Sequence, residues 1–334
     1  MLVKIVRFVL ISAALLLLLF ITWFSSEFYH RLDTQPNSVV FEVEKGQSAK
    51  EIALNLKKNG IIKKTWPFLL GYRIFFSSQS LKAGEYVIAI PDSPKNILQV
   101  LSEGSVYLHS ITIPEGLIIK EIAQLLESEG FAAKKDFLRD AGETSLIYSL
   151  DTDAPNLEGY LFPETYRFAK GTPSEKIVAA MIFQFTKVFS QEWMERAAEM
   201  EMSIRDIVTL ASLIEKETSL REEKKIISAV FHNRLRIDMK LDCDPTIIYV
   251  LKLEDRFKDR LRTKDLKYDS PFNTYLYSGL PPGPIANPGR DSLEAALYPA
   301  DEKFLYFVSK NDGSHHFSQT FREHQNAVNK YQRR

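Results

Sequence analysis

Residues 210–235 read LASLIEKETSLREEKKIISAVFHNRL, with Glu215 and Glu217 flanking Lys216 where an apolar run stops. A carboxyl group serves as a general acid when its surroundings disfavour the charged form and leave it protonated near neutral pH. Taken as a helix from Ser203, the segment turns about 100° per residue. That places Ile204, Ile207, Val208, Ala211 and Ile214 on one broad apolar face. Glu215 falls on this face, one turn beyond the small Ala211, while Glu217 falls on the other flank near Leu210, Leu213 and Asp206. About 200° separates the two carboxylates, so they cannot share one substrate bond. The apolar setting points to Glu215 as the acid; a solvated helix tip is the plain alternative for both.

The elements that must hold these residues are legible. Ser203 with Asp206 three residues on has the form of a capping box for the helix SIRDIVTLASLIEKET. A helix starting at Ser174, SEKIVAAMIFQFTKVFSQEW, is expected before it, and EEKKIISAVFHNRLR after it. Around them lie loop strings rich in aromatic residues, Pro and Gly: LEGYLFPETYRF at 157–168, LDCDPTIIYVL at 241–251 and SPFNTYLYSGLPPGPIANPG at 270–289. Binding residues concentrate on loops of this kind. Candidates for substrate contact are Tyr160 and Glu164, Asp244 and Thr246, Asn273 and Tyr275. Asp244, Asn273 and Tyr275 have structural readings as well. Asp-Pro-Thr makes a turn in which Asp244 caps the following helix, and Asn273 and Tyr275 also suit turn duty. His232 and Arg234 read as packing and ion-pair residues, and Glu217 as a group holding a backbone or an arginine.

The segment before residue 150 has a different texture. Residues 8–26, FVLISAALLLLLFITWFSS, carry no charge and span roughly 28 Å as a helix, enough for a bilayer core. Lys4 and Arg7 precede them, which predicts a cytoplasmic stretch 1–7 and everything after the helix across the membrane. A cleaved signal peptide is the alternative, but no small-residue cleavage site follows Trp23. Residues 41–61 and 111–131 then repeat at an offset of 70, sharing Gly46/Gly116, Glu51/Glu121, Ile52/Ile122, Ala53/Ala123, Leu56/Leu126 and Gly60/Gly130. Residues 39–135 are therefore expected to form small strand-plus-helix modules, and 150–334 a second, mixed α+β domain. The fold class is α+β.

Composition excludes several classes. Lys plus Arg and Asp plus Glu both number 43, so no bulk charge attracts nucleic acid. Cys243 is the single cysteine, which rules out an internal disulfide, and the six histidines form no HExxH pair. No metal or cofactor is expected.

The ordered strings ASLIEKE, VFHNRL, LDCDPTIIY, NTY, GLPPGPIANPG, YFV and GSHHFSQTFREH resemble the endolytic murein transglycosylases, the MltG or YceG-like family. EVEKGQSAKEIALNL resembles a LysM module, which binds N-acetylglucosamine polymers; a spacer lifting the next domain off the membrane is the other reading. The family resemblance covers nearly the whole chain. It implies a membrane-anchored enzyme of the periplasmic side of the inner membrane that cleaves MurNAc–GlcNAc bonds within nascent strands, leaves 1,6-anhydro ends, and works beside a peptidoglycan synthase. It identifies the first glutamate of EKE, Glu215, as the catalytic residue, and matches His315 to the family's G-x-H-x-F string. One carboxyl then suffices: it protonates the leaving glycosidic oxygen and takes a proton back from the sugar's C6 hydroxyl. Asp242 departs from the glutamine common in the family, so no glycan contact is carried onto it. A muramidase-type hydrolase, with Asp244 as base or nucleophile, and a non-catalytic glycan-binding scaffold are the rival readings.

Overall fold

The structure, a computed structural model, describes residues 1–31 and 37–332. The last two residues of the expected 150–334 domain lie outside the described residues. The chain divides into two units, Met1–His109 and Ser110–Arg334. Among the described residues the strands occur as three separate two-stranded pairs set among helices, in keeping with a mixed α+β class.

The first unit opens with helix α1, Leu2–Tyr29. It is long and apolar enough to cross a membrane, and Phe8 and Leu16 are 72% and 68% exposed to whatever surrounds it. Strand β1 (Asn37–Val43), helices α2 (Ala49–Lys58) and α3 (Thr65–Gly71), strand β2 (Gly84–Ile90) and helix α4 (Pro94–Glu103) follow. Strands β1 and β2 pair antiparallel from Asn37↔Ile90 to Val43↔Gly84. Phe24 and Phe28 at the end of α1 join the core made by Phe41, Ile52, Leu56, Phe68 and Leu98. The stack of Trp23 on Trp66, with centroids 4.4 Å apart, adds to that seam. The apolar helix thus runs straight into the packed module.

The second unit holds strand β3 (His109–Thr112, which begins at the boundary), helices α5 (Ile119–Ser128) and α6 (Lys134–Asp140), and strand β4 (Thr165–Phe168) paired with β3. Helices α7 (Ser174–Val188), α8 (Gln191–Glu199), α9 (Ile204–Glu217), α10 (Arg221–Arg236), α11 (Asp244–Leu253) and α12 (Arg290–Leu297) come next. Strands β5 (Tyr306–Ser309) and β6 (His315–Ser318) and helix α13 (Phe321–Tyr331) complete it. The expected helix from Ser174 is broken in two, because Ser190 turns out of it and its side chain caps Trp193 N at 3.4 Å.

The sequence repeat is a structural repeat, yet it does not build one modular region over 39–135. Both copies are strand, left-handed glycine and capped helix, with Gly46 and Gly116 at φ of 89° and 76°. Glu51 closes one cap on Ser48 N at 2.7 Å and Glu121 the other on Ile118 N at 3.1 Å. The buried trio of the first copy, Ile52, Ala53 and Leu56, belongs to the first core, whereas Ile122, Ala123 and Leu126 belong to the second. Asn287, fully buried, clamps the second copy in place: its N–H and its Nδ2 both donate to Leu117 O at 2.9 Å. Sequence similarity reflects local strand-turn-helix chemistry, while burial partners decide to which core each copy belongs.

Helix α9 is the axis of the second unit. Every residue from Ile207 to Ile214 is buried, against α8, α10, α11 and α12. Each large aliphatic side chain there contributes about 1.5–3 kcal/mol of burial. Ser203 and Asp206 form the expected capping box, with Ser203 N donating to Asp206 Oδ2 at 2.9 Å. Ser212 reaches out of the helix to accept Ile285 N at 3.0 Å, which ties the proline-rich loop to it. Gly159 sits on the same seam at φ 88°, where a Cβ would collide with Pro284 and Val208.

Candidate active site

The chain leaves α9 sharply. Thr218 is extended, and its hydroxyl accepts Leu220 N at 3.0 Å, so α10 starts three residues later. This tight turn leaves Glu215 and Glu217 in two different environments.

Glu215 is an anchor. Its carboxylate accepts Lys224 Nζ at 3.1 and 3.3 Å, Ser292 Oγ at 2.7 Å and Gly289 N at 3.1 Å. The last two belong to the N-terminus of α12, where backbone donors and the helix dipole favour an anion. Its side chain is 8% exposed and that of Lys224 5%. Every neighbour gives a hydrogen bond and none takes one, which suits an acceptor and not a proton donor. Glu115 lies over Gly289, where a Cβ would strike its carboxyl. The sequence points to Glu215 as the general acid, whereas these contacts suit an anchoring role. Helical periodicity places it on a buried face, but α9 is buried on all sides, and the face it occupies meets α12.

Glu217 opens instead onto a groove of about 410 Å³, shared with Arg234, Asp242, Asp244, Tyr275, Tyr306, His315 and Phe321. Cys243, buried, donates its Sγ–H to Glu217 Oε1 at 3.0 Å. Burial pushes the Glu217 carboxyl up to about 7, with Asp244 raising it further and the Cys243 hydrogen bond, His315 and Arg234 opposing. The Cys243 thiol is itself pushed well up by burial and by Glu217, so it stays a donor. Sequence alone reads Glu217 as a group holding a backbone or an arginine. The signal that could single it out is its register against LDCDPT, which no periodicity reveals.

The loop strings converge on this groove, though fewer of their residues line it than expected. Tyr275 OH donates to Asp244 Oδ1 at 2.6 Å, and both line the groove. Asp244 therefore makes no side-chain cap for α11; Cys243 is the N-cap residue. Thr246 is fully buried and bonds Cys243 O at 2.7 Å, and Thr274 Oγ1 accepts Cys243 N at 2.9 Å. Asn273 is likewise buried, with Nδ2 on Leu266 O and Tyr268 O at 3.1 and 2.7 Å. Thr246 and Asn273 thus hold the loops rather than face the groove. Tyr160 is core, 1% exposed, donating to Asp151 Oδ2 at 2.6 Å. Glu164 is exposed beside Thr112, Thr165 and Arg290, at another hollow of the unit. Thr246, Asn273 and Tyr160 have their polar atoms satisfied within the fold, and Glu164 lies elsewhere.

Arg234 is more than an ion-pair residue. Its guanidinium donates to Leu305 O, Leu241 O and Lys240 O at 2.7, 2.9 and 3.1 Å, tying β5 to the loop before α11. His232 is packing, with Nε2 2.9 Å from Ala296 O. His315 lines the groove from β6 and is held from behind by Glu223. Among the described residues no group of three or more His, Cys, Asp or Glu is placed to hold a metal ion.

A sequence model of the YceG-like family matches residues 41–330. An endolytic murein transglycosylase of Bacillus subtilis is 35% identical over 312 residues, covering 88% of this chain and 85% of the relative. One from Streptococcus pneumoniae is 30% identical over 87% of this chain, which spans only 58% of the relative's length. A crystal structure of a yceG-like protein from Listeria monocytogenes superposes with a TM-score of 0.60 at 32% identity, covering 86% of this chain and 98% of that one. The chain belongs to the YceG-like family.

Proposed function

We propose that this protein is a membrane-anchored endolytic murein transglycosylase whose general acid is Glu217. One observation carries the assignment: a half-buried carboxyl, raised to about 7, lines a groove of about 410 Å³. A group titrating there retains a proton at working pH and still gives it up readily. The names of the relatives supply the substrate class, peptidoglycan.

In the proposed reaction Glu217 protonates the oxygen that leaves C1 of a MurNAc residue inside the strand. The C6 hydroxyl of the same sugar closes on C1, giving a 1,6-anhydro end without water. Acid help of this kind is worth about 10²–10⁴ in rate. Asp244 and Tyr275, bonded to each other, form a polar wall for sugar hydroxyls or the N-acetyl amide. Glu215 serves the site by tying α9 to α10 through Lys224 and to the start of α12 through Gly289 and Ser292.

Helix α1 anchors the enzyme, with residues 1–7 cytoplasmic because Lys4 and Arg7 remain on that side, and the two units on the outer face of the inner membrane. The order β1–α2–α3–β2 of the first unit suits a LysM-like glycan-binding role. Confined near the bilayer, the enzyme would cut nascent strands and limit their length, in association with a peptidoglycan synthase.

The test is digestion of purified uncrosslinked glycan strands by the full chain in detergent, with mass spectrometry of the ends. Wild type is expected to release anhydro ends, one water lighter than reducing ends, and Glu217→Gln none. Reducing ends from wild type would instead indicate a muramidase-type hydrolase, for which Asp244 is the candidate base. No release by wild type would leave a binding scaffold.

A further inference from the structure

His315 is gripped in a way the acid role of Glu217 does not require. Its main-chain N–H donates to Glu223 Oε1 at 2.9 Å, and its Nδ1 lies 2.6 Å from Glu223 Oε2. The two side chains are 12% and 10% exposed. Phe307 meets the imidazole edge-on, with centroids 5.5 Å apart. A carboxylate on Nδ1 fixes the ring hydrogen there and turns the lone pair of Nε2 outward, the arrangement by which a carboxylate prepares a histidine as a base. Nε2 has no protein partner among the described residues and is not among the buried unpartnered atoms, while His315 lines the Glu217 groove. Glu223 stands in the first turn of α10, next to the Lys224 that pins Glu215, so the same turn sets both anchor and dyad.

Transglycosylation needs a proton given at one oxygen while another is removed nearby. We propose that His315 Nε2 is the general base that takes the proton from the C6 hydroxyl, with Glu223 as its positioning residue. This rests on the reading of Glu217 as acid. The C1–O bond of the glycosidic link breaks and its oxygen leaves with the Glu217 proton. The O6–C1 bond forms and the O6 proton passes to Nε2. The imidazolium then returns its proton to the Glu217 carboxylate, directly or through solvent, so neither water nor a net proton is consumed. Among the described residues, the charged and titratable groups around the imidazole are Glu223 behind it and Glu217, Arg234, Asp242, Asp244, Tyr275, Tyr306 and His324 lining the same groove.

The experiment uses the full chain in detergent on uncrosslinked strands, scoring kcat, KM and the ratio of anhydro to reducing ends. His315→Ala is expected to lower kcat about 100-fold or more with KM within about twofold, and to lower the anhydro share of residual product. Imidazole should restore part of the rate to His315→Gly. Glu223→Gln should lower kcat by roughly tenfold and shift the acidic limb of the pH profile, with Glu223→Asp recovering part of the loss, as expected of a residue that acts by orienting a base. If the alanine variant does not fold, His315→Gln takes its place; it lacks a basic nitrogen and the same loss is expected. A kcat within about threefold of wild type, or a rise in KM alone, overturns the histidine proposal. Those outcomes leave Glu217 standing provided Glu217→Gln is inactive; an active Glu217→Gln removes the acid assignment itself.

Discussion

Cys243 and Glu217, 26 residues apart in sequence, meet through one hydrogen bond in which the buried thiol donates to the carboxyl at 3.0 Å. The contact joins the end of α9 to the loop that begins α11 and opposes the rise that burial imposes on the proposed acid. A donor to a carboxylate stabilises its charged form, whereas the nearby Asp244 destabilises it.

These two neighbours give opposite signs. Cys243→Ala removes a lowering influence, so the Glu217 carboxyl should rise and the alkaline limb of the kcat/KM profile should move to higher pH. Asp244→Asn removes a raising influence, so the same limb should move to lower pH. Both profiles are read on glycan strands from about pH 5 to 9, a range that brackets the Glu217 value; shifts in the same direction would count against Glu217 as the titrating acid.

Glu215 and Lys224 form a nearly closed pair, and breaking such a pair from one side costs about 3–5 kcal/mol. Lys224→Met is therefore expected to lower unfolding stability by that order, measured by denaturant titration of the second unit's transition. Glu217→Gln should leave stability within about 1 kcal/mol of wild type while abolishing turnover. The contrast separates anchor from acid.

Tyr160 tests the corrected placement of the LEGYLFPETY string. Its hydroxyl is buried and donates to Asp151, which also accepts Arg205 at 2.6 and 2.9 Å. Tyr160→Phe should cost about 1–2 kcal/mol of stability and leave KM for glycan strands unchanged within error. A severalfold rise in KM at unaltered stability would restore it to the substrate site.

Glu158 makes the fold pH-sensitive. Buried, it accepts Ile119 N at 3.0 Å and Asn287 Nδ2 at 2.9 Å, and burial pushes it up to about 8 from 4.5. Between those values the folded state holds a proton that the unfolded chain has lost, so stability falls as pH rises through the window, by at most about 1.4 kcal/mol per unit. Below 4.5 the contribution is complete, and above about 8 it is gone. Glu158→Gln should flatten the stability profile between about pH 5 and 8; an unchanged slope would show that other groups set it.

Much of the architecture is readable from residue order. The capped helix at Ser203 starts where its capping box demands, because Ser203 and Asp206 satisfy first-turn donors locally. The strand-turn-helix form of both repeats follows from their left-handed glycines and closing glutamates. Charge-free residues 8–26 lie within α1, since backbone hydrogen bonding and length suffice for that. The groove is legible only as a set of strings: Asp244, Tyr275 and His315 meet there, while Tyr160, Thr246 and Asn273 hold the frame and Glu164 lies at another hollow.

What the amino-acid order determined alone was local: helix starts, turns, the apolar segment, the repeat and the pair of glutamates at the end of α9. Which glutamate faces the groove was decided by residues 74 and 77 positions beyond Glu215, at the start of α12, and by a thiol 26 positions beyond Glu217. Helical period reports direction around an axis, and an axis packed on all sides offers no solvent face to choose. Only the neighbours brought there by tertiary folding make one carboxyl an anchor and open its companion to the groove.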